Sequence, residues 1–157
     1  MAIDKVREYF KQFGIEDKIL EFDVSSATVA LAAEALGCAP ERIAKTISLK
    51  TDDGCILIVA AGDAKVDNAK FKAEFGIKAK MLSADEVEEL CGHAVGGVCP
   101  FAVNETAKVY LDESLTRFET VFPACGSSNS AIELTIPQLE KLSGFKEWID
   151  VTSVAEQ

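Results

Sequence analysis

The sequence predicts an α+β domain with a mixed central sheet flanked by helices. Helix patterns and strand patterns are interspersed along the chain, and several strand patterns are joined by links as short as a hairpin turn. A regular alternation of strands and helices would instead favour a doubly wound parallel sheet. The 157 residues contain neither a repeat nor a linker-like stretch. We therefore expect a single domain over residues 1–157.

The first half of the chain predicts helices closed by glycine and one β-hairpin. Apolar residues at helical spacing precede Gly14 and Gly37, and glycine commonly follows the last turn of a helix. The turn at residues 51–54 joins an alternating segment to an apolar one, which is typical of a hairpin. The predicted elements are a helix over 3–13, a strand over 18–24, a helix from the N-cap Ser26 to Leu36, a short helix over 40–44, and strands over 45–50 and 55–61.

The second half predicts two capping boxes and a glycine-rich loop. Ser83 with Glu86 and Thr135 with Gln138 have the spacing at which two side chains cap a helix N-terminus reciprocally. The remaining elements are a helix over 67–75, a strand over 77–82, a helix to Leu90, the loop at 92–100, strands over 108–111 and 120–122 with a turn or helix at 113–118, a strand over 130–134, a helix to Ser143, a strand over 148–151 and a frayed tail over 154–157.

Composition and charge exclude several classes of protein. Hydrophobic residues make up 48% and charged residues 27%, which excludes a disordered or low-complexity chain. No apolar run reaches the roughly 18 residues of a membrane span, and residues 1–10 lack the apolar core of a signal peptide. We therefore expect a cytoplasmic protein without a membrane partner. The net charge of -10 argues against DNA binding by bulk charge but permits a local contact with nucleic acid.

Five cysteines and one histidine provide a possible alternative chemistry. Without an export signal the cysteines are expected to be reduced and mostly buried. A zinc set of Cys91, His93, Cys99 and Cys125 has spacings that match no compact zinc motif, and we expect neither metal nor cofactor. His93 with Cys99 or Cys125 would suit a cysteine hydrolase, but no nucleophile motif accompanies them. We expect His93 at the surface or at the edge of its loop.

The most unusual segment is VGGVCPF at residues 95–101. Gly96 and Gly97 permit positive φ and a close approach of the backbone to a ligand, and Pro100 stiffens the exit of the loop. Successive free N–H groups in such a loop can bind an oxygen that carries negative charge. The alternative is a tight connection between a helix and a strand.

Lys45 and a second loop of small residues are further candidates for a ligand site. Lys45 stands where the short helix gives way to the hairpin, so its charge can lie at the mouth of a cleft on the sheet. Thr46 can offer a hydroxyl, or simply fit a strand. Residues 124–130 (ACGSSNS) can provide backbone and hydroxyl hydrogen bonds, or form an ordinary turn.

The chain resembles the YbaK/EbsC family in four segments, which follow one another in the order that the family has. This family comprises the free-standing relatives of the editing domain inserted in bacterial prolyl-tRNA synthetases. The four segments cover nearly the whole chain, and the ordered set is more specific than any one of them. Gly96 and Pro100 match the G-x-x-x-P loop of the family, and Lys45 matches the lysine of its second segment. The segments are residues 28–37 (TVALAAEALG), 43–47 (IAKTI), 95–101 (VGGVCPF) and 125–134 (CGSSNSAIEL).

The resemblance implies a trans-editing deacylase that removes a mischarged small amino acid, of the Cys or Ala class, from tRNA(Pro). Its partners would be the acceptor end of that tRNA and prolyl-tRNA synthetase. Lys45 would contact the terminal adenosine or its phosphate, and the backbone of the glycine loop would hold the aminoacyl carbonyl. The catalytic candidates are Lys45 and Gly97, and the substrate-binding candidates are Thr46, Gly96, Val98, Cys99, Pro100, Phe101, Gly126, Ser127 and Phe22.

Two departures from the family pattern leave the substrate open. Cys99 stands where relatives often carry serine, and the region of Phe22 is where some relatives carry an aromatic residue or a histidine. A non-catalytic module of the same fold that binds a tRNA end or another ligand is the main alternative, ahead of the cysteine hydrolase.

Overall fold

A six-stranded mixed sheet lies at the centre of the fold. The computed structural model describes residues 2–52 and 54–154. The strand order is β8-β6-β2-β3-β5-β9, and the sheet contains both parallel and antiparallel neighbours, as the sequence predicts. The strands are β1 (Leu20–Glu21), β2 (Ile43–Thr51), β3 (Gly54–Ala61), β4 (Ala64–Val66), β5 (Ala107–Asp112), β6 (Thr120–Pro123), β7 (Ser130–Ala131), β8 (Leu134–Thr135), β9 (Trp148–Ile149) and β10 (Thr152–Val154).

Five α-helices and three short 3₁₀ helices flank the sheet in the described part of the chain. None of the described helices has the length and apolar character that crossing a membrane requires. The α-helices are α1 (Ala2–Lys11), α2 (Val29–Leu36), α3 (Asn68–Phe75), α4 (Ala84–Cys91) and α5 (Ile136–Ser143), and the 3₁₀ helices are Glu16–Lys18, Pro40–Arg42 and Glu113–Arg117.

The β2–β3 hairpin forms the middle of the sheet, and its register confirms the predicted turn. The two strands pair continuously from Ala44 opposite Ala61 to Thr51 opposite Gly54. On its other side β2 pairs with β6 only at Ile43 and Ala44. Among the described residues, the next contact along this edge of β2 is a bridge from Leu49 to Met81. The segment between these contacts therefore presents an open edge, and this opening positions the candidate site.

Each face of the sheet is covered by its own apolar cluster. On one face α1 contributes Val6 and Phe10 to a core that includes Leu57 and Val59 of β3. On the other face Phe71 of α3 packs with a smaller cluster. The predicted capping boxes at Ser83 and Thr135 are both present: each hydroxyl accepts from the third helical N–H, and the backbone N–H of each cap residue donates to the side chain of Glu86 or Gln138.

The start of α2 differs from the prediction. Thr28, not Ser26, is the N-cap, and its hydroxyl accepts from the N–H of Leu31 at 3.2 Å. Ser26 instead donates its own N–H to the carbonyl of Ser128 at 2.6 Å. That bond ties the segment before α2 to the second small-residue loop, which sequence spacing alone does not reveal.

Several predicted strands are shorter or absent because long-range contacts redirect the chain. Residues 77–82 contain only the bridge at Met81, and the strand predicted over 18–24 is reduced to β1. The strand over 130–134 is divided into β7, which pairs with β1, and β8, which pairs with β6. Val154 of the expected tail lies in β10, which pairs with β4, and residues 155–157 lie outside the described residues.

Candidate functional site

A cavity of about 350 Å³ lies at the open edge of β2. Its walls come from separate parts of the chain: β2, the segment before α2, the glycine loop, the segment at Met81, and the strands β6 and β7. Most of the lining side chains are small or aliphatic, with hydroxyl groups and one ammonium group among them. The lining includes Ala27, Val29, Ala32, Ala44, Lys45, Thr46, Ser48, Leu82, Val95, Gly96, Val98, Phe122, Ala124 and Ala131.

Lys45 brings the only ammonium group to the described lining of this cavity. The side chain is half-buried, and its Nζ donates to the carbonyl of Gly62 at 3.3 Å. Burial lowers the pKa of Lys45 from the usual lysine value, the carboxylate of Asp63 opposes this effect, and the nearby ammonium of Lys65 adds to it. A lysine held in this way carries a poorly hydrated charge beside the cavity, which suits it to contact an oxygen of a ligand.

Thr46 presents a polar atom without a partner in the same cavity. Its Oγ1 is buried and makes no hydrogen bond with any residue that the structure describes. A buried hydroxyl without a partner costs free energy, on the order of 1–3 kcal/mol. The adjacent cavity would let a polar group of a ligand supply the missing bond.

The glycine loop borders the cavity. The sequence predicts that all of its N–H groups are free, but at least one of them is engaged within the chain. Gly96 lies at φ +93°, and a Cβ built on it would meet the Cβ of Ala27 at 3.4 Å. The N–H of Gly97, however, donates to the carbonyl of Ala94 at 3.0 Å, which closes a turn. The expectation that the loop's donors lack partners in the chain is therefore wrong at Gly97, because the turn uses that donor.

Gly97 lies instead against the second small-residue loop. It borders a second cavity, of about 540 Å³, together with Gly126 and Ser127. The hydroxyl of Ser127 bonds to Asn129 Oδ1 at 2.9 Å and to Ser130 Oγ at 2.7 Å. Val95 lines both cavities, so the glycine loop forms the partition between them.

Four of the predicted site residues line neither cavity. Cys99, Pro100 and Phe101 are buried, and the Phe101 ring packs edge-on against that of Phe10 with 4.9 Å between centroids. Phe22 is half-buried, and its backbone N–H donates to the carbonyl of Asn129 at 2.8 Å. These residues support the loops behind the cavity walls. Lys45, Thr46, Gly96 and Val98 are the predicted residues that line the first cavity.

His93 and Cys99 are neighbours in the core rather than at the surface. Both are fully buried, with Cys99 Sγ 3.5 Å from His93 Nε2, which also lies 2.7 Å from the carbonyl of Phe101. The expectation of a surface histidine is wrong, because this carbonyl and the surrounding core hold the ring inside. Burial lowers the pKa of His93 and raises the pKa of the Cys99 thiol to about 12. A thiol in this environment is a poor nucleophile, which disfavours the cysteine hydrolase.

Other lining residues have no sequence signal that marks them. Ala27 lies in the segment before α2, Phe122 in β6 and Ala131 in β7, and the three meet at the open edge of β2. Their residue types are ordinary for a core or a loop. Thr28 is a common N-cap residue type and is a local signal near this wall, although the sequence pattern predicts Ser26 as the cap.

Comparison with known proteins agrees with this geometry. The family model for the aminoacyl-tRNA editing domain matches residues 24–142, which include β2, the glycine loop and the second small-residue loop. The chain belongs to the aminoacyl-tRNA editing domain family. This assignment confirms the resemblance seen in the sequence and gives the chain a role in aminoacyl-tRNA editing.

Relatives of this editing domain occur both as separate chains and within larger enzymes. The uncharacterized protein YwhH of Bacillus subtilis is 55% identical over 96% of this chain and 97% of its own length. The proline–tRNA ligase of Shouchella clausii is 31% identical over 66% of this chain but only 18% of the ligase. The chain thus corresponds to about a fifth of such a ligase.

Solved structures show the same fold. A structure provisionally described as a trans-editing enzyme for prolyl-tRNA synthetase has a TM-score of 0.86 at 27% identity, and the match covers 97% of each chain. A second, of a hypothetical protein, has a TM-score of 0.83 at 29% identity over 95% of this chain and 99% of the other. The editing domain therefore has the α+β architecture of a free-standing relative.

Proposed function

We propose that the protein is a trans-editing deacylase that hydrolyses the ester of a small, mischarged amino acid on tRNA, with tRNA(Pro) as the first candidate. The observation that carries the proposal is the placement of half-buried Lys45 beside a small, mostly apolar cavity in an editing domain. The cavity accepts the side chain of the amino acid, and Lys45 contacts the ester or the terminal nucleotide.

The size and lining of the cavity support a small substrate. A volume of about 350 Å³ lies at the lower end of ligand sites, which run from roughly 300 to 1,000 Å³. It must also admit part of the terminal ribose if the ester is to reach Lys45. The aliphatic walls at Ala44, Ala124 and Ala131 favour an apolar or thiol side chain of the Ala or Cys class.

The reaction places few demands on acid–base side chains. An aminoacyl ester is already activated. Orientation of a water molecule and stabilisation of the negative charge on the carbonyl oxygen can therefore account for the rate acceleration. We assign this stabilisation to the Lys45 ammonium together with backbone of the glycine loop at Gly96 and Val98, which line the cavity. We assign Gly97 a structural role rather than a contact with the substrate, because its own N–H closes the turn that shapes the loop.

The choice of tRNA(Pro) rests on the relatives. The ligases that match this chain are proline–tRNA ligases, and the solved trans-editing structure is described for prolyl-tRNA synthetase. A separate editing domain must find its tRNA without the body of a ligase, or with that ligase as a partner.

Deacylation of Ala-, Cys- and Ser-tRNA(Pro) by the purified protein tests the proposal. We expect faster hydrolysis of the Ala or Cys ester than of correctly charged Pro-tRNA(Pro), with rates compared after subtraction of the uncatalysed reaction. Binding of these tRNAs without hydrolysis of any of them would instead support the non-catalytic module.

A further inference from the structure

One segment of this acidic protein is basic. Residues 65–80 contain five lysines and only two acidic residues, whereas the whole chain has a net charge of -10. All five lysines are exposed. Four of the five lysines lie on α3 and on the segment that connects it to Met81, and Lys65 lies on β4.

Four of the five lysines form no ion pair with a described residue; one of them, Lys65, lies on β4, and the other three lie on α3 and the segment after it. Lys70 is engaged with the carboxylate of Asp150 at 3.1 Å and with the carbonyl of Thr152 at 2.9 Å. Lys72, Lys78 and Lys80 form no ion pair with any residue of 2–52 or 54–154. We call Lys72, Lys78 and Lys80 the lysine strip.

One acidic residue of helix α4, Glu86, is already paired with another lysine. Glu86 of α4 pairs with Lys50 at 2.9 Å, and this bond, together with hydrogen bonds to Ser83, lowers the pKa of Glu86 to about 2. Glu86 is therefore bound to Lys50 and not to Lys80, whose ammonium forms no ion pair with a described residue.

The strip leads to the mouth of the cavity. Lys72 and Lys78 line a shallow depression of about 450 Å³ beside α3. The carbonyl of Lys80 accepts the N–H of Lys50 at 2.8 Å, which fixes this segment to the end of β2. The next residue, Met81, lines the cavity and is 67% exposed. A polyanion lying along the strip would thus reach the cavity entrance at Met81.

The segment before the cavity wall at Ser26 has no such run of lysines. The segment that runs into the cavity wall at Ser26 contains Glu21 and Asp23, both exposed. Arg7 pairs with Glu21, but Asp23 forms no ion pair with a described residue. Phosphates are therefore attracted more strongly to the lysine strip than to this segment.

We infer that the lysine strip binds phosphates of the tRNA acceptor arm, while the aminoacylated 3′ end enters the cavity past Met81. The inference rests on the proposed function, since it assigns the approach path of the same substrate. It also explains how an acidic protein holds tRNA: a local strip of three cations supplies the salt-dependent contacts that bulk charge does not.

Two triple variants with the same change in net charge test the inference. K72Q/K78Q/K80Q removes the strip, and K11Q/K18Q/K141Q removes three exposed lysines elsewhere. Each is assayed on an aminoacyl-tRNA and on the same amino acid esterified to a CCA trinucleotide. We expect the strip variant to lose about tenfold or more in kcat/KM on tRNA, to keep wild-type kcat/KM on the trinucleotide, and the control to match wild type on both.

Binding of uncharged tRNA gives an independent measurement. Each phosphate contact contributes about 0.7 to 0.9 to the slope of log Kd against log salt concentration, so loss of three contacts lowers the slope by roughly 2 to 3. If the wild-type protein hydrolyses neither ester, the proposed function fails. A salt slope of tRNA binding that is smaller in the strip variant than in the wild type would still support binding of tRNA phosphates to the lysine strip.

Three outcomes would overturn the inference. Equal losses in the two triple variants would show an effect of net charge alone. A loss on the trinucleotide as large as that on tRNA would place the effect inside the cavity. Unchanged tRNA binding by the strip variant, together with lost co-sedimentation with prolyl-tRNA synthetase, would assign the strip to a protein partner.

Discussion

Gly97 lies so close to Ser127 that a Cβ built on Gly97 would be 2.8 Å from the Cα of Ser127. The same atom would lie 2.8 Å from the backbone carbon of Gly126. Real Cβ atoms do not approach backbone so closely, so a glycine is required where the two loops meet. The contact sets the separation of the loops, and the glycine loop is in turn the partition between the two cavities.

Gly97→Ala should therefore lose most deacylase activity while the protein still folds. The methyl group must push the two loops apart, which displaces the cavity wall at Gly96 and costs about 1–3 kcal/mol of stability, as overpacking does. Deacylation rate and thermal unfolding are measured together. Gly144→Ala is the control, because it strains a helix end at φ +60° away from the cavity and should lower stability with little change in rate. Equal rates for Gly97→Ala and wild type would contradict this role.

Lys45→Ala should reduce deacylation by ~10²-fold or more, the usual range for loss of one group that stabilises developing charge. Its free energy of unfolding should change by only about 0.5 kcal/mol, because the ammonium makes one hydrogen bond, to Gly62, and no ion pair with a described residue. Lys108→Ala, an exposed lysine of β5, is the control. Full activity in Lys45→Ala would remove Lys45 from the site.

Local signals explain the parts of the fold that the sequence predicts. The hairpin is specified by its turn at residues 51–54 and by its alternation, and the helices at Ser83 and Thr135 by capping boxes. Each of these signals acts within a few residues. The strand predicted at 130–134 fails because β7 and β8 pair with different strands, and such pairing is decided by the rest of the fold.

The candidate site is predicted only where a residue type marks it. Lys45 and Gly96 stand out because an ammonium group or an exposed backbone can bind a ligand and because both match segments of the editing-domain family, and both line the cavity. Ala27 and Phe122 do not stand out, since they reach the cavity only through long-range packing. His93 shows the same limit: its burial follows from the bond to the Phe101 carbonyl and from the surrounding core.

His93 is expected to stabilise the protein without taking part in the reaction. His93→Gln should lower the free energy of unfolding at pH 7 by about 1–3 kcal/mol, because the Phe101 carbonyl loses its imidazole partner. The profile of rate against pH between 6 and 7 should keep its shape in the variant. An inflection in this range that disappears in His93→Gln would instead place the imidazole in the chemistry.

The same histidine predicts an acid-sensitive fold. Burial lowers the pKa of His93 in the folded protein below the usual 6.5, so the unfolded chain binds more protons as the pH falls through this range. The contribution of neutral His93 to stability is complete above pH 6.5 and is lost as the pH falls towards the lowered pKa. Urea unfolding between pH 5 and 8 should show a steeper acid loss in wild type than in His93→Gln. Parallel curves would contradict this.

Thiol alkylation should leave deacylation intact. Cys55, Cys91, Cys99 and Cys125 are buried and only Cys38 is partly exposed, while burial raises the pKa of the Cys99 thiol to about 12. Iodoacetamide should therefore add at most one group to the native protein and five to the unfolded chain, as counted by mass spectrometry. Loss of activity in proportion to modification of Cys99 or Cys125 would instead support the cysteine hydrolase hypothesis.

Asp63 and Lys65 act on the pKa of Lys45 in opposite directions. Removing one or the other charge should therefore move the alkaline limb of the rate–pH profile in opposite directions. If the reaction needs the ammonium form, activity is present below the pKa of Lys45 and falls as the pH rises through it. That pKa is already lowered by burial, so the limb begins at lower pH than for an ordinary lysine. Asp63→Asn removes an attraction that raises the pKa of Lys45 and should move the limb further down.

Lys65→Gln is the matched opposite of Asp63→Asn, because it removes a repulsion that lowers the pKa of Lys45 and should move the limb up. Rates are measured from pH 6 to 9.5 with the uncatalysed hydrolysis subtracted at each pH. Thermal unfolding of Asp63→Asn controls for its lost ion pair with Arg117. Shifts in the same direction in both variants, or no shift in either, would show that the limb does not report Lys45. Opposite shifts would identify Lys45 as the group that must keep its proton during deacylation.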